Sequence, residues 1–341
     1  MLRCLQLAKQ GAGNVAPNPM VGAVLVYEGR IIGEGYHQQY GQAHAEVNCI
    51  DSVKKEDEHL IVLSTLYVSL EPCAHYGKTP PCADMIIKKK IPKVVIGCRD
   101  PFAEVNGKGI EKLLSAGVEV VQNILEKECV GLNKCFFTFY TQHRPYIILK
   151  WAQSANGKIG NNNKRVSISN EFTNRLVHKW RSEEASILVG TNTAMIDDPS
   201  LNVRLWNGSN PVRLVVDMEL KLPQHLHLFD QQQKTIVFNT IKHEDLPNLL
   251  YYQVTHDVSI VHQITNALYQ MKLQSVLIEG GAKLLQSFID ENIWDEARVI
   301  ENGELIIENG INAPQFSNAK IITEEKIFSD RVSCFLNPKS S

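Results

Sequence analysis

The stretch SLEPCAHYGKTPPCA, residues 69–83, holds two cysteines that eight residues separate. Upstream, the triplet HAE at residues 44–46 opens a segment with helical patterning. Histidine nitrogen and cysteine sulfur are ligands that zinc prefers, and a catalytic zinc site takes three protein ligands and leaves the fourth position for water. The sequence therefore predicts a catalytic zinc site with His44, Cys73 and Cys82 as its ligands.

Glu46 follows the predicted histidine ligand by two residues. Bound zinc lowers the pKa of water toward ~7, and a carboxylate beside such a water can carry a proton from it to a leaving amine. Histidine, glutamate and a Pro-Cys pair in this order form the zinc-deaminase pattern, in which the cysteines are usually two residues apart. The longer polar spacing here predicts a loop that also touches the substrate.

Two other interpretations remain open at this point. The first is a zinc deaminase of a nucleoside or tRNA base, fused to an unrelated domain; the tight cysteine spacing of that class is missing. The second is a zinc-stabilised scaffold or binding protein. A structural zinc site calls for a fourth protein ligand, and His75 is too close to Cys73 in sequence to be an obvious choice. Glu46 has no purpose in the second interpretation.

Composition narrows the class of protein. The chain has 341 residues, 44% of them hydrophobic, a length that suits two domains. Its net charge of -2 and the lack of a long Lys/Arg run disfavour nucleic acid as a ligand. We expect no membrane span, because no apolar run reaches ~18 residues, and no signal peptide opens the chain. The eight cysteines lack the spacing of a disulfide framework, so we expect a cytoplasmic protein.

Strand-like and helical segments alternate along the chain, which predicts α/β layers. Polar residues and a proline at 140–145 separate two apolar segments, so we expect one domain over residues 1–142 and a second over 143–341. In the second domain, Gly280-Gly281 follows a strand-like run and precedes a helical pattern. Backbone amides at such a helix start can seat a phosphate, although a glycine pair after a strand is also a common turn.

Three runs of the first half resemble a known family: PNPMVGAV at 17–24, GQAHAEV at 41–47 and the stretch at 69–83. They are similar to the pyrimidine deaminase of riboflavin biosynthesis. The runs LKWAQS at 149–154, DDPSLNVR at 197–204 and IEGG at 278–281 resemble the reductase half of the same bifunctional family. The resemblance implies an α/β protein with an N-terminal cytidine-deaminase-like three-layer domain and a C-terminal dihydrofolate-reductase-like domain.

For the first domain, the resemblance implies deamination of 2,5-diamino-6-(5-phosphoribosylamino)pyrimidin-4-one at its 2-amino group. It implies one zinc ion and Glu46 as the proton shuttle. Five residues fall on positions that contact substrate in the family: Asn18, His37, His75, Lys78 and Asp100. An Asn side chain offers a donor and an acceptor to a pyrimidine edge, and a Lys ammonium suits a phosphate.

For the second domain, the resemblance implies reduction of the ribosyl chain to the ribityl chain with hydride from NADPH. The implied substrate contacts are Arg181, Leu201, Arg204 and Glu279, and the two arginines suit a phosphate because guanidinium binds it bidentately. The implied cofactor contacts are Ala152, Ser167, Thr193, Asp197 and Gly281. A homodimer through this domain is also expected from the resemblance.

The chain departs from the family pattern at three positions. The family often has Asp-Pro-Asn-Pro where this chain has Asp100-Pro101-Phe102-Ala103, which puts the substrate contact expected at 102 in question. Asn156 stands where an aspartate is usual and keeps the size and turn preference but not the charge. Ser167 stands where a tryptophan is frequent, so we expect weaker stacking on the cofactor.

Overall fold

The computed structural model describes residues 1–76, 80–161 and 166–339. The chain divides into two compact units, Met1–His143 and Arg144–Ser341. The polar residues at 140–142, which lie in the predicted boundary segment 140–145, complete the last turn of a helix that ends at Gln142. His143 then takes a left-handed conformation, with φ at 55°, and ends the helix.

The first unit contains a five-stranded sheet and short helices. Its strands are β1 (Gly22–Tyr27), β2 (Arg30–Tyr36), β3 (Thr65–Leu70), β4 (Lys93–Cys98) and β5 (Glu119–Val121). Its α-helices are α1 (Leu2–Ala8), α2 (Ala45–Asp51), α3 (Cys82–Lys88), α4 (Lys108–Ser115), α5 (Glu126–Leu132) and α6 (Lys134–Gln142). The strand order is β2-β1-β3-β4-β5, and β3, β4 and β5 run parallel to one another.

The two faces of this sheet bury different side chains, because successive residues of a strand point to opposite faces. Ala23 and Leu25 of β1 pack with residues of α2, α3 and α4 on one face. Val24 packs with Cys4 and Leu7 of α1 on the other. Helices therefore cover the sheet on both sides, as the predicted three-layer architecture requires.

The described residues of the second unit form twelve strands, ten of which belong to one large sheet. Its strands are β6 (Tyr146–Ser154), β7 (Lys158–Gly160), β8 (Ser186–Gly190), β9 (Val212–Val216), β10 (Thr235–Asn239), β11 (Glu244–Leu246), β12 (Leu249–Gln253), β13 (Ser275–Glu279), β14 (Glu296–Asn302), β15 (Ile311–Asn312), β16 (Lys320–Ile327) and β17 (Asp330–Leu336). Its α-helices are α7 (Glu171–Glu183), α8 (Thr191–Asp197), α9 (Ile260–Gln270) and α10 (Ala282–Asp290).

The order in the large sheet is β11-β12-β10-β9-β8-β13-β6-β14-β17-β16, and β7 pairs separately with β15. In this order, the seven consecutive strands β12, β10, β9, β8, β13, β6 and β14 run parallel to one another. The edge strand β11 is antiparallel to β12, β17 is antiparallel to β14, and β16 is antiparallel to β17. The carboxyl ends of β6, β8 and β13 therefore lie at one edge, where α/β proteins place their ligands. Within the described residues, no helix is long and apolar enough to cross a bilayer.

Candidate active sites

Three local structures place the predicted zinc ligands. His44 is the N-cap of α2, and Cys82 is the first residue of α3. Cys73 lies in the loop that follows β3, where its carbonyl oxygen accepts a hydrogen bond from the Ala83 N–H at 3.1 Å. Residues far apart in sequence thus meet where one strand ends and two helices begin.

The donor atoms are spaced as a tetrahedral zinc ion requires. The Nδ1 atom of His44 lies 3.6 Å from Cys73 Sγ and 3.3 Å from Cys82 Sγ, and the three donor atoms lie within 4.8 Å of one another. Zinc bonds of ordinary length at tetrahedral angles put a nitrogen and a sulfur about 3.5 Å apart. The three residues therefore fit a zinc ion.

The described residues bring no fourth ligand to this group. Residues 77–79, which follow Cys73 in the sequence and lie outside the described residues, are Gly, Lys and Thr, and these side chains offer neither imidazole, thiolate nor carboxylate. Three ligands leave a position for water, as in catalytic rather than structural zinc sites.

The backbone supports a thiolate at Cys73, because its Sγ accepts a hydrogen bond from the backbone N–H of Cys82 at 3.3 Å. Glu46 lies in the first turn of α2 and is 3% exposed. Burial is the main cause that raises the pKa of its carboxyl to about 7.

His37 lies beside His44, a predicted zinc ligand, and Asn18 contacts His37. The His37 ring packs edge-on against the His44 ring, with centroids 5.4 Å apart. His37 Nδ1 lies 3.0 Å from the carbonyl oxygen of Ala43, which can only accept, so Nδ1 carries the proton. His37 Nε2 then accepts from the Asn18 amide at 3.3 Å, and burial lowers the pKa of the ring.

His75 and Asp100 lie on two loops that meet at Phe102. The Phe102 ring packs edge-on against His75 at 6.0 Å, and the Phe102 N–H donates to Asp100 Oδ1 at 2.8 Å. Nδ1 of His75 is buried and has no hydrogen-bond partner among the described residues. Burial, followed by the charges of Glu71 and Cys73, raises the Asp100 pKa to about 7 against the hydrogen bond from Phe102. Lys78 lies outside the described residues.

In the second unit, three charged side chains meet at the end of β13. Arg181 donates from Nε and Nη2 to the two carboxylate oxygens of Glu279, at 2.8 Å each. Lys150 Nζ lies 3.6 Å from the same carboxylate. Burial acts to raise the Glu279 pKa, but Arg181 and Lys150 outweigh it and hold the pKa at about 2. Burial lowers the pKa of Lys150.

Leu201 and Arg204 lie on the loop after α8, next to this group. Arg181 Nη1 donates to the carbonyl oxygen of Asn202 at 3.3 Å, and the Arg204 N–H donates to His178 Nδ1 at 3.2 Å. Burial, with the nearby charges of Arg181 and Arg204, lowers the His178 pKa to about 4. Glu279 occupies one edge of the Arg181 guanidinium. The Arg204 side chain is exposed, and its Nη1 donates to Asn202 Oδ1 at 3.0 Å.

The glycine pair after β13 lies against Thr193. Gly281 is the N-cap of α10 and has a φ of 77°, and a Cβ at this position would lie 3.3 Å from Thr193 Oγ1. Asp197 is the last residue of α8, the helix that carries Thr193.

The two remaining predicted cofactor contacts lie elsewhere in the unit. Ala152 lies in β6, the neighbour of β13 in the sheet. Ser167 is exposed and lies in an irregular segment. The structure therefore joins Thr193 to Gly281 directly, and it leaves Ser167 without a regular element to position it.

Asn156 has a structural task that explains one departure from the family pattern. Its Oδ1 accepts from Ser154 Oγ at 2.7 Å and from the Ile307 N–H at 3.2 Å, and its Nδ2 donates to the Ile307 carbonyl at 3.1 Å. The amide of Asn156 can accept from the Ile307 N–H and donate to the Ile307 carbonyl at the same time. An ionised carboxylate has no proton to donate and could make only the first of these bonds.

Sequence reasoning missed two buried polar residues that organise the first unit. The Asn133 side chain accepts from the Met20 N–H at 2.8 Å and donates to the Met20 carbonyl at 2.9 Å, so it holds the loop after Asn18. Glu71 accepts four backbone hydrogen bonds. Glu71 stands inside the quoted stretch 69–83, but residue type alone does not distinguish it from a surface acid.

Comparison with known proteins bears on both units. Residues 1–98 match the family model of the cytidine and deoxycytidylate deaminase zinc-binding region, and residues 145–302 match that of the RibD C-terminal domain. The riboflavin biosynthesis protein RibD of Aquifex aeolicus is 38% identical over 301 residues, covering 86% of this chain and 83% of the relative. That of Escherichia coli is 30% identical and covers 94% and 95%.

Two solved structures share the fold over nearly the whole chain. One is a diaminohydroxyphosphoribosylaminopyrimidine deaminase/5-amino-6-(5-phosphoribosylamino)uracil reductase from Thermotoga maritima, with a TM-score of 0.88, 36% identity and coverage of 99% and 97%. The other is Acinetobacter baumannii RibD, with a TM-score of 0.89, 29% identity and coverage of 98% and 97%. These likenesses confirm the predicted deaminase-like and reductase-like folds. This chain belongs to the RibD family of bifunctional riboflavin biosynthesis enzymes, which join a zinc-binding deaminase domain to a reductase domain.

Proposed function

We propose that this chain carries out two consecutive reactions of riboflavin biosynthesis. The first unit hydrolyses the 2-amino group of 2,5-diamino-6-(5-phosphoribosylamino)pyrimidin-4-one to give the uracil derivative and ammonia. The second unit reduces the ribosyl chain of that product to a ribityl chain, with NADPH as hydride donor. The observation that carries the proposal is the three-ligand group of His44, Cys73 and Cys82, with Glu46 two residues from its histidine.

In the first unit, His44, Cys73 and Cys82 would hold zinc, which would supply a water of lowered pKa. Glu46 accepts the proton of the attacking water at its carboxylate and delivers it toward the leaving amine. Asn18, fixed by its bond to His37, presents its amide to the pyrimidine edge. His75 and Asp100 contact the substrate from the two loops that meet at Phe102, and Lys78 meets its phosphate.

In the second unit, the glycine pair at the start of α10 leaves backbone N–H groups open to a phosphate of the cofactor. Thr193 lies beside that turn, and Ala152, Ser167 and Asp197 complete the proposed cofactor contacts. NADPH supplies the hydride, and the protein positions it.

The substrate of the second unit is held from another side. Arg181, Leu201, Arg204 and Glu279 line it, and Arg204 meets its phosphate. The Arg181–Glu279 pair keeps a rigid, charged wall at the end of β13, because each side chain fixes the other through two hydrogen bonds.

A coupled assay on purified, zinc-analysed protein tests the proposal. Ammonia release and NADPH oxidation are followed with the diaminopyrimidinone phosphate as substrate. We expect both signals and about one zinc per chain, as a three-ligand catalytic site implies. Ammonia without NADPH oxidation would refute the second half, and folded, zinc-loaded protein that gives neither signal would refute the substrate.

We propose that residues 1–142 form the deaminase domain and 143–341 the reductase domain. A homodimer through the second domain is proposed on family grounds, and sedimentation of the full chain tests it. The net charge of -2 agrees with small-molecule substrates rather than nucleic acid. None of the eight cysteines forms a disulfide, which suits a reducing cytoplasm.

A further inference from the structure

Glu71 is a buried carboxylate that the proposed chemistry does not use. It directly follows β3, is 3% exposed, and precedes the ligand Cys73 by two residues. Its Oε2 accepts from the N–H groups of Asp100 at 3.2 Å and Gly107 at 3.0 Å. Its Oε1 accepts from Gly109 at 3.0 Å and Ile110 at 3.2 Å.

These four bonds tie two functional segments together. The backbone of Glu71 continues into Pro72 and Cys73. Its carboxylate binds backbone N–H groups of residues 100–110, a segment that includes Asp100. The contact is tight, since a Cβ on Gly109 would lie 1.9 Å from the Pro72 carbonyl oxygen. Two of the donors, Gly109 and Ile110, lie in the first turn of α4, where a negative charge is favourable.

The same carboxylate links Asp100 to the loop that carries Cys73. Asp100 receives the Glu71 bond at its own backbone N–H, and its side chain is held by the N–H of Phe102. Phe102 in turn packs on His75, which follows Cys73 by two residues. Residues 71–75 and 100–110 therefore contact each other at two places, through the hydrogen bonds of Glu71 and through the packing of Phe102 on His75.

We propose that Glu71 is a positioning residue for deamination: its carboxylate fixes residues 100–110 relative to Cys73, so that Asp100 meets the substrate at a constant distance from the zinc ligands. This inference rests on the proposed function, in which Asp100 contacts the substrate. Glu71 itself touches neither substrate nor metal in it.

The test is a double-mutant cycle on the full-length zinc enzyme. A glutamine at 71 presents an NH₂ group to two of the four N–H donors, whichever way its amide turns. We expect Glu71→Gln to raise the deaminase KM about tenfold with little change in kcat. The weakened contact is the one between Asp100 and the substrate, which stabilises the bound ground state and the transition state equally. Asp100→Ala should raise KM similarly, and the double variant should be no worse than Asp100→Ala alone.

Asp57→Asn is the matched control. Asp57 is a buried carboxylate of the same unit, paired to Arg30 by bonds of 2.9 and 2.7 Å, and its loss should lower thermal stability without changing KM. If Glu71→Gln fails to fold, as shown by loss of zinc, Glu71→Asp replaces it in the cycle, because it keeps both acceptors but falls one methylene short.

The outcomes separate this inference from the proposed function. Non-additive KM effects with zinc retained support the positioning role. Additive effects, an unchanged KM, or a KM shift equalled by Asp57→Asn overturn it while ammonia release by the wild type upholds the proposed function. If the wild type releases no ammonia, the proposed function fails, and the inference fails with it.

Discussion

Arg181 and Glu279 face each other through two parallel hydrogen bonds of 2.8 Å, from Nε and Nη2 to the two carboxylate oxygens. Both side chains are largely buried, 12% and 10% exposed, and Lys150 lies 3.6 Å from the same carboxylate. One acid thus balances two buried cations. Breaking such a pair leaves an uncompensated charge in the interior, so Glu279 affects both the stability and the chemistry of the second unit.

The low pKa of Glu279 predicts acid sensitivity of the second unit. Its pKa is about 2 in the folded chain and about 4.3 when unfolded. Because the folded pKa is the lower one, its stabilisation is complete above about pH 5 and is lost as pH falls toward 2. We expect about 3 kcal/mol of unfolding free energy to disappear over this range, measured by denaturant unfolding of the second unit.

The matched variant is Glu279→Gln, which should be less stable at pH 7 and should lose this part of the pH dependence. An unfolding free energy with the same acid slope in both proteins would show that other carboxylates cause it.

Replacing Glu46 should separate the two activities. Glu46→Ala removes the proposed proton carrier, so ammonia release should fall about 10²- to 10⁴-fold. Zinc content should stay near that of the wild type, since Glu46 is not among the three grouped ligands. Reduction of the already deaminated intermediate should be unchanged, because the second unit forms a separate compact body. Loss of both activities in a folded, zinc-loaded variant would contradict this.

Removal of zinc should destabilise only the first unit. The three ligands connect α2, α3 and the loop after β3, and a ligand that binds only the folded state raises stability. We expect chelation to lower the temperature of the calorimetric transition in which the first unit unfolds. The rate of NADPH-dependent reduction should stay the same. Cys73→Ser should reproduce the effect, whereas Cys135→Ser, a cysteine of the same unit outside the ligand group, should keep zinc. A shift of both transitions would argue against it.

Gly281→Ala should weaken cofactor binding. Gly281 has a φ of 77°, a backbone conformation that costs residues with a Cβ about 1 kcal/mol or more. The methyl group of the alanine would also approach Thr193 Oγ1 to 3.3 Å. We expect a higher NADPH KM with an unchanged rate of ammonia release.

Gly117→Ala is the control for backbone strain, since Gly117 has a φ of 81° and nothing within 4 Å of the added Cβ. It should cost stability but leave the NADPH KM as it is. Equal NADPH KM values in wild type and Gly281→Ala would remove the glycine pair from the proposed cofactor site.

Asn156→Asp, which restores the residue usual in the family, should destabilise this chain. A carboxylate cannot donate to the Ile307 carbonyl as Asn156 Nδ2 does at 3.1 Å, and an unmatched acceptor pair costs about 1–3 kcal/mol. Denaturant unfolding measures the loss, and we expect the reduction rate to change little. A faster reduction in the aspartate variant would instead assign this position a role in the chemistry.

Much of this protein was determined by its sequence alone. A zinc site could be predicted at His44, Cys73 and Cys82 because these residue types have few other reasons to occur in that order beside a glutamate, and metal chemistry restricts the residue types. The strand-like run before Gly280-Gly281 forms β13, whose apolar residues Val276, Leu277 and Ile278 are consecutive, as is typical of buried parallel strands. Beyond Ile289 no element was predicted, although β14, β16 and β17 form there. The exposed strand β16 lacks an apolar face that alternates clearly.

Only the tertiary structure decided which polar groups meet. Glu71 and Asn133 became anchors because folding left backbone N–H and carbonyl groups beside them that water could no longer reach, and buried polar groups need partners. The edge of Arg181 that suits a phosphate became the partner of Glu279 for the same reason, since a carboxylate buried at the end of β13 must be neutralised. Sequence supplies the chemical groups, but their pairing depends on distances and burial that arise only when separate strands and helices pack together.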